Sequence, residues 1–291
     1  MAIITEQVYQ EGGACYPQIV MKDENAAVTI TPSKGGMITS MTLDGEEFSW
    51  LRKPNFNLVE RPRCGVPILF PNCGTPDNGV HIFDGKAYPM ENHGFADLLP
   101  WDVEEITGEG VTLTLAPTAL TKFLYPFDFD LSVTYNLVGN TVIITTTVGN
   151  NGEEDMPFSL GFHPYFAASK LENVDFDIQA KTCGQDPKAP QPAAPAKITL
   201  TRQEGADSSV RQLTGVTSPM IFTDKGNGHK VTVGFDDAFT NAVLWQQDAE
   251  TFVCMEPWNG WPNSLNEEGK HEVLAPGEYW TCTWSITMEK E

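Results

Sequence analysis

The sequence predicts an all-β protein, a large antiparallel β-sandwich forming one domain over residues 1–291. Three observations lead there. Short runs of β-branched and aromatic residues alternate with polar ones along most of the chain, as a half-buried pleated surface requires. Turn chemistry separates the runs, most clearly at Asp44-Gly45 and Gly139-Asn140. No stretch carries the long 3.6-residue apolar stripe of an amphipathic helix.

Taken in order, residues 27–31 and 37–43 alternate and lead into Asp44-Gly45. Residues 111–115 alternate again, and residues 127–138 and 141–148 flank Gly139-Asn140 as the two arms of a hairpin. Residues 231–235, 242–245 and 279–288 complete the strand signals. Helix is confined to short turns, with residues 208–213 the candidate. Residues 187–197 hold four prolines and four alanines and are expected to form a surface loop, since proline breaks a helix interior. Strand signals continue on both sides of that loop, so it is not read as a linker between domains.

Composition excludes several functions. The formal charge is −21, from 18 basic against 39 acidic side chains, and such a surface repels nucleic acid and anionic membranes. No apolar run approaches the ~20 residues that span a bilayer, and the first residues lack the basic and apolar regions of a secretory signal. Six cysteines (Cys15, Cys64, Cys73, Cys183, Cys254, Cys282) are scattered without a CxxC pair. They read as free, mostly buried thiols of a cytoplasmic protein. Cys64, Cys73 and His93 match no standard zinc spacing, so neither a metal nor a cofactor is expected.

Four segments carry the parts of a proton-transfer site for a small polar ligand. The strand-like run Phe252-Val253-Cys254-Met255-Glu256-Pro257-Trp258 ends in a carboxylate. Glu256 is read either as an exposed strand-end acid or as one held in a cleft, where desolvation raises its pKa toward a useful general base. Trp258 offers a ring that can stack on a sugar face or simply fill a core. His163 lies in the aromatic setting Gly161-Phe162-His163-Pro164-Tyr165-Phe166, and the following proline restricts its backbone to extended conformations. His93, in Glu91-Asn92-His93-Gly94-Phe95, suits a loop at the rim of a sheet. Arg63, beside a Gly65-Val66-Pro67 turn, can grip hydroxyls or a carboxylate with its planar fork, and Arg52, Lys53 and Arg61 make a basic cluster with it. The remaining histidines, His81, His229 and His271, lie in polar contexts and are expected to be solvated.

Together these segments resemble the aldose 1-epimerase (galactose mutarotase-like) superfamily, nearest its branch of epimerase-related proteins and hexose-6-phosphate epimerases. The pattern R-x-G-x-P-x-L-F-P is met by Arg63 to Pro71 and H-G-F-A with a downstream Trp by His93 to Ala96 and Trp101. H-x-Y-F is met by His163 to Phe166, E-P-W by Glu256 to Trp258, and L-x-P-G-E by Leu274 to Glu278. The resemblance implies a β-supersandwich with its site on a concave face, and interconversion of the α- and β-anomers of a hexose or hexose-6-phosphate. It implies Glu256 as the base at the C1 hydroxyl, His163 as the acid at the ring oxygen, and His93 and Arg63 as hydroxyl contacts. The partner is then a sugar or sugar phosphate, and the protein a monomer or homodimer. A carbohydrate-binding protein without turnover is the alternative. Two departures stand out. The family often has Arg after H-G-F-A, where this chain has Asp97. An acid against the sugar hydroxyls is also common there, with Asp207, Asp224 and Asp236 the candidates in this chain.

Overall fold

The structure, a computed structural model, describes residues 2–51, 56, 61, 63–185, 192–201, 206–247 and 251–291. Its body is all antiparallel sheet. An eight-stranded sheet runs in the order Val174–Gln179, Thr217–Asp224, His229–Phe235, Tyr279–Lys290, Thr141–Asn150, Phe129–Val138, Gly110–Leu115 and Asp102–Ile106. A seven-stranded sheet runs Thr182–Gly184, Ser208–Thr214, Asn241–Gln247, Phe252–Trp258, Gly161–Phe162 and Ile68–Leu69, with Tyr165–Ala167 also paired to Phe252–Trp258. A five-stranded sheet is built from the N-terminal strands Ile3–Glu11 to Glu46–Glu47.

Alternation explains the layers. In Phe129–Val138 every other residue is buried, and the inward set (Phe129, Leu131, Val133, Tyr135, Leu137) joins one apolar core with Val142, Ile144 and Val148 of the neighbouring strand. The two large sheets meet through aromatic pairs: Phe162 lies 4.6 Å from Trp284 and Phe166 lies 5.5 Å from Phe222, centroid to centroid. The N-terminal sheet is tied in by the Tyr135 hydroxyl, which donates to the Gly36 carbonyl at 2.8 Å.

The hairpin at Gly139-Asn140 forms as expected, with a ladder from Phe129↔Asn150 to Val138↔Thr141. At the other expected turn Asp44 and Gly45 both take positive φ, 52° and 77°, as a two-residue hairpin requires. One expectation fails. Residues 208–213 are a strand, Ser208–Thr214, paired over its whole length with Asn241–Gln247. Its apolar residues, Val210 and Leu213, stand three apart and carry no strand period, and tertiary pairing decided the structure. The described α-helix, Ala119–Leu124, is capped by Thr118, whose hydroxyl accepts from the Thr121 N–H. Part of the proline-rich loop, and Arg52 and Lys53 of the basic cluster, lie outside the described residues. Among the described residues none of the six cysteines forms a disulfide; Cys15 is exposed and the others buried. No helix among them is long and apolar enough to cross a membrane.

Candidate active site

The strand Phe252–Trp258 is buried along its whole length because both faces are covered. Val253 and Met255 point into the main core. Cys254, Glu256 and Trp258 therefore point to the other, concave face. Glu256 is thus a carboxylate in the middle of a sheet, 1% exposed, and not a strand-end acid.

Register brings His163 to it. Gly161 pairs with Trp258, and Tyr165 pairs with Cys254. Counting inward from either pair places His163 opposite Glu256, at a break in the ladder where His163 and Pro164 belong to no strand. Freed from the ladder, the His163 N–H donates instead to the Pro67 carbonyl at 3.0 Å. Its Nε2 lies 3.5 Å from Glu256 Oε1. The ring is held by stacking on Tyr165 (4.7 Å, 11°) and by the edge of Trp245 (5.7 Å, 81°).

His93 is hooked onto Gly74 twice. Its N–H donates to the Gly74 carbonyl at 3.0 Å, and its Nδ1 accepts from the Gly74 N–H at 3.0 Å. An acceptor at Nδ1 leaves the proton of the neutral ring on Nε2, so His93 presents a donor. This tight approach depends on positive φ at His93 (65°) and at Gly94 (71°). His93 meets His163 edge-on at 5.4 Å and Trp258 at 5.5 Å. The next loop residue to matter is Asp97, 1% exposed and paired with Arg61. Arg61 also donates to the carbonyls of Asn92 (2.7 Å) and Gly94 (2.9 Å), so its fork is turned onto the histidine loop.

These side chains line one pocket of about 670 Å³, with Arg63, Leu69, Gln212, Val243 and Trp245 among the others. That is within the ~300–1,000 Å³ usual for small-molecule sites. Gln212, Val243 and Glu256 form a cross-strand row in it, since Gln212 pairs with Val243 and Val243 with Glu256. Arg63 donates to the side chain of Gln247 at the same face.

Burial sets the charges. Desolvation pushes the Glu256 carboxyl well above its usual 4.5. The nearby Trp258 indole offsets part of that rise, though its N–H makes no hydrogen bond of normal geometry. Desolvation, with the Arg61 and Arg63 charges adding to it, pulls His163 down to about 3. His93 is likewise held well below 6.5, by burial first and then by His163 and Arg61. Asp97 rises to about 6, because burial outweighs its Arg61 partner. Burial thus disfavours charge on both members of the Glu256–His163 pair, raising the carboxyl and lowering the imidazole.

The structure thus gathers Glu256, His163, His93, Trp258 and Arg63 around one cavity. Asp97, Arg61, Gln212 and Trp245 join them, and sequence reasoning did not place these at the pocket together. Gln212 and Trp245 share strand faces with Val210 and Val243, but neither strand alternates in sequence, so no local signal marks them. None of the suggested acids lines the pocket. Asp224 is buried elsewhere and accepts from Ser169, Asp236 accepts from the Thr283 N–H at 2.6 Å, and Asp207 is exposed. The expectation of three solvated histidines also fails for two. His81 is 0% exposed beside Phe83, and His229 is 5% exposed and stacked on Phe48 at 3.9 Å. Flanking polar residues misled there, since each histidine sits on a strand whose alternate positions turn inward.

Known proteins share this architecture. LacX of Lactococcus lactis subsp. lactis is 26% identical over 275 residues, covering 86% of this chain and 90% of LacX. The crystal structure of Slr1438 from Synechocystis sp. PCC 6803 superposes with a TM-score of 0.88 at 27% identity, covering 94% of this chain and 96% of the other. A galactose mutarotase related enzyme from Lactobacillus acidophilus superposes with a TM-score of 0.80 at 26% identity, covering 94% and 97%. The profile of the aldose 1-epimerase family matches residues 17–287, which take in every strand that lines the pocket, and the chain belongs to that family.

Proposed function

We propose that the protein, as one domain over residues 1–291, interconverts the α- and β-anomers of an unphosphorylated hexose by acid–base ring opening. The observation that carries this reading is the buried Glu256–His163 pair, 3.5 Å apart at the wall of the pocket. Mutarotation needs just that. One group takes the proton of the C1 hydroxyl while the other protonates the ring oxygen, the C1–O5 bond opens, and reclosure on the other face of C1 returns both protons. The pair ends with the proton count it began with, so no cofactor has to be regenerated. In the forward sense Glu256 is the base and His163 the acid, so the reactive form of the pair is a carboxylate facing an imidazolium. Each transfer of this type contributes roughly 10²- to 10⁴-fold. His93 Nε2–H, the Arg63 fork and the Gln212 amide are placed to hold hydroxyls, and Trp258 gives an apolar wall for the sugar's C–H face.

The pH dependence follows from the single proton that this form carries. The active form exists between uptake of a second proton and loss of the single proton from the pair. The acid limb of kcat/KM is therefore expected well below the ordinary imidazole value of 6.5, toward about 3. The alkaline limb is expected above the ordinary carboxylate value of 4.5. An acid limb centred near pH 6.5 would contradict this assignment.

The pairing of Arg61 supports the neutral sugar over the phosphate. A phosphate needs a cation it can face, but Arg61 is already engaged by Asp97 and two carbonyls, and Asp97 adds a negative charge beside it. A neutral hexose fits that corner. Asp97→Asn is expected to raise the kcat/KM ratio of glucose-6-phosphate to glucose about tenfold, near the ~1.5–3 kcal/mol of a charge-assisted hydrogen bond. An unchanged ratio would leave Arg61 a purely structural role. The test of the whole reading is anomer exchange of α-D-glucose, α-D-galactose and glucose-6-phosphate by NMR. Acceleration of the free hexoses supports it, whereas tight sugar binding without acceleration makes the protein a carbohydrate-binding member of its family.

A further inference from the structure

Cys254 is a buried thiol that proton transfer does not use. It shares a strand face with Glu256 and pairs with Tyr165, the ring on which His163 stacks. One ligand atom from each of His163, Cys254 and Glu256 lies within 4.8 Å of the other two. Imidazole nitrogen, thiolate sulfur and carboxylate oxygen are the three donors that zinc takes, and the sulfur suits softer cadmium as well. The 3.5 Å between His163 Nε2 and Glu256 Oε1 is already close to the separation of two ligands in a tetrahedral zinc site. Ligands about 2.0–2.1 Å from such an ion stand roughly 3.3 Å apart. Two buried atoms of the cluster, His163 Nδ1 and Glu256 Oε2, have no hydrogen-bond partner.

We propose that His163, Cys254 and Glu256 bind one thiophilic dication, zinc or cadmium, with the fourth tetrahedral position open toward the pocket. Charge balance permits this despite burial. Bound through the carboxylate of Glu256 and the thiolate of Cys254, a dication meets two negative charges, so the buried cluster stays neutral. Resting on the reading under Proposed function, a consequence is inhibition of anomer exchange, because the ion occupies both the base and the acid. The site is then an inhibitory one, independent of any metal requirement.

The experiment is a cadmium titration of the full chain carrying Cys15→Ser, which removes the exposed thiol, followed by the ultraviolet thiolate-to-cadmium charge-transfer band. The band is expected to saturate at one equivalent, to survive Cys73→Ser, and to vanish in Cys254→Ser and Cys254→Ala, with circular dichroism showing each variant folded. In the same variants zinc inhibition of anomer exchange is expected to weaken at least tenfold while exchange without zinc persists. A band that survives both Cys254 substitutions, or none at one equivalent, overturns the site. The optical readout does not depend on turnover. A one-equivalent band without acceleration of any sugar keeps the metal site and removes the mutarotase reading, while acceleration without a band does the reverse.

Discussion

Glu256→Gln is expected to lower anomer exchange by about 10²- to 10⁴-fold while making the protein harder to unfold at alkaline pH. Glutamine keeps the shape and the hydrogen-bonding reach of the side chain but can neither hold nor release the proton. The activity loss should appear in kcat more than in KM, because the carboxyl acts on the reacting proton and the other pocket groups are left in place. The stability gain has a separate cause. Burial raises the carboxyl pKa of Glu256 above its unfolded value of 4.5, so the folded chain holds the proton more tightly than the unfolded one. The stability that comes with that proton is fully present below 4.5 and is lost as pH rises through the folded value. Glutamine has no such loss. Thermal melts of the two proteins should therefore coincide near pH 4 and separate, with the variant higher, as pH increases. Equal exchange rates would remove Glu256 from the chemistry; melts separating in the opposite sense would mean that its carboxylate is stabilised by a partner.

Gly94→Ala is expected to cost about 2–5 kcal/mol of stability and to abolish exchange in whatever protein remains folded. Gly94 has a φ of 71°, a region where a side chain costs roughly 1–2 kcal/mol. An added Cβ would also stand 2.2 Å from the Phe70 carbonyl oxygen and 2.5 Å from its carbon. Both are backbone atoms, so no side chain can rotate away, and overpacking of this sort adds about 1–3 kcal/mol. Phe70 cannot retreat, because its ring packs on Phe95, Tyr125 and Phe129 in the core. The loop must move instead, and it carries His93, hooked to Gly74, and Asp97, paired with Arg61. Urea unfolding of Gly94→Ala beside Gly139→Ala gives the comparison. Gly139 has a φ of 57° but open space around its Cβ position, so its substitution should show the conformational cost alone. Equal losses in the two variants would mean that the loop absorbs the clash.

Where the chain announced its structure, it did so through period and turn chemistry. The alternation of residues 127–138 and the Gly139-Asn140 turn are local signals, and the hairpin formed with the register they imply. Glu256 and His163 were legible as candidates because a carboxylate and an imidazole in apolar runs are unusual. Their facing one another was not, since it depends on two strand pairings that no local window contains. The same limit hid the Arg61–Asp97 pair, whose members are far apart in sequence, and concealed that the chain has its cation at position 61 beside an acid at position 97. Residues 208–213 were misread because their apolar residues, Val210 and Leu213, stand three apart and give no strand period; pairing with Asn241–Gln247 chose the strand.

The ladder around His163 has a further consequence, for length rather than for side chains. Both short segments beside the break count to the same partner strand, so the four steps from Gly161 to Tyr165 match the four from Trp258 back to Cys254. A single added or deleted residue between those anchors would leave both segments free to pair, yet would turn every following side chain to the opposite face of the sheet. Lineages descending from this chain are free to exchange the aromatic neighbours of His163 for others of similar size. They are not free to change the spacing, which behaves as a ruler with one permitted setting.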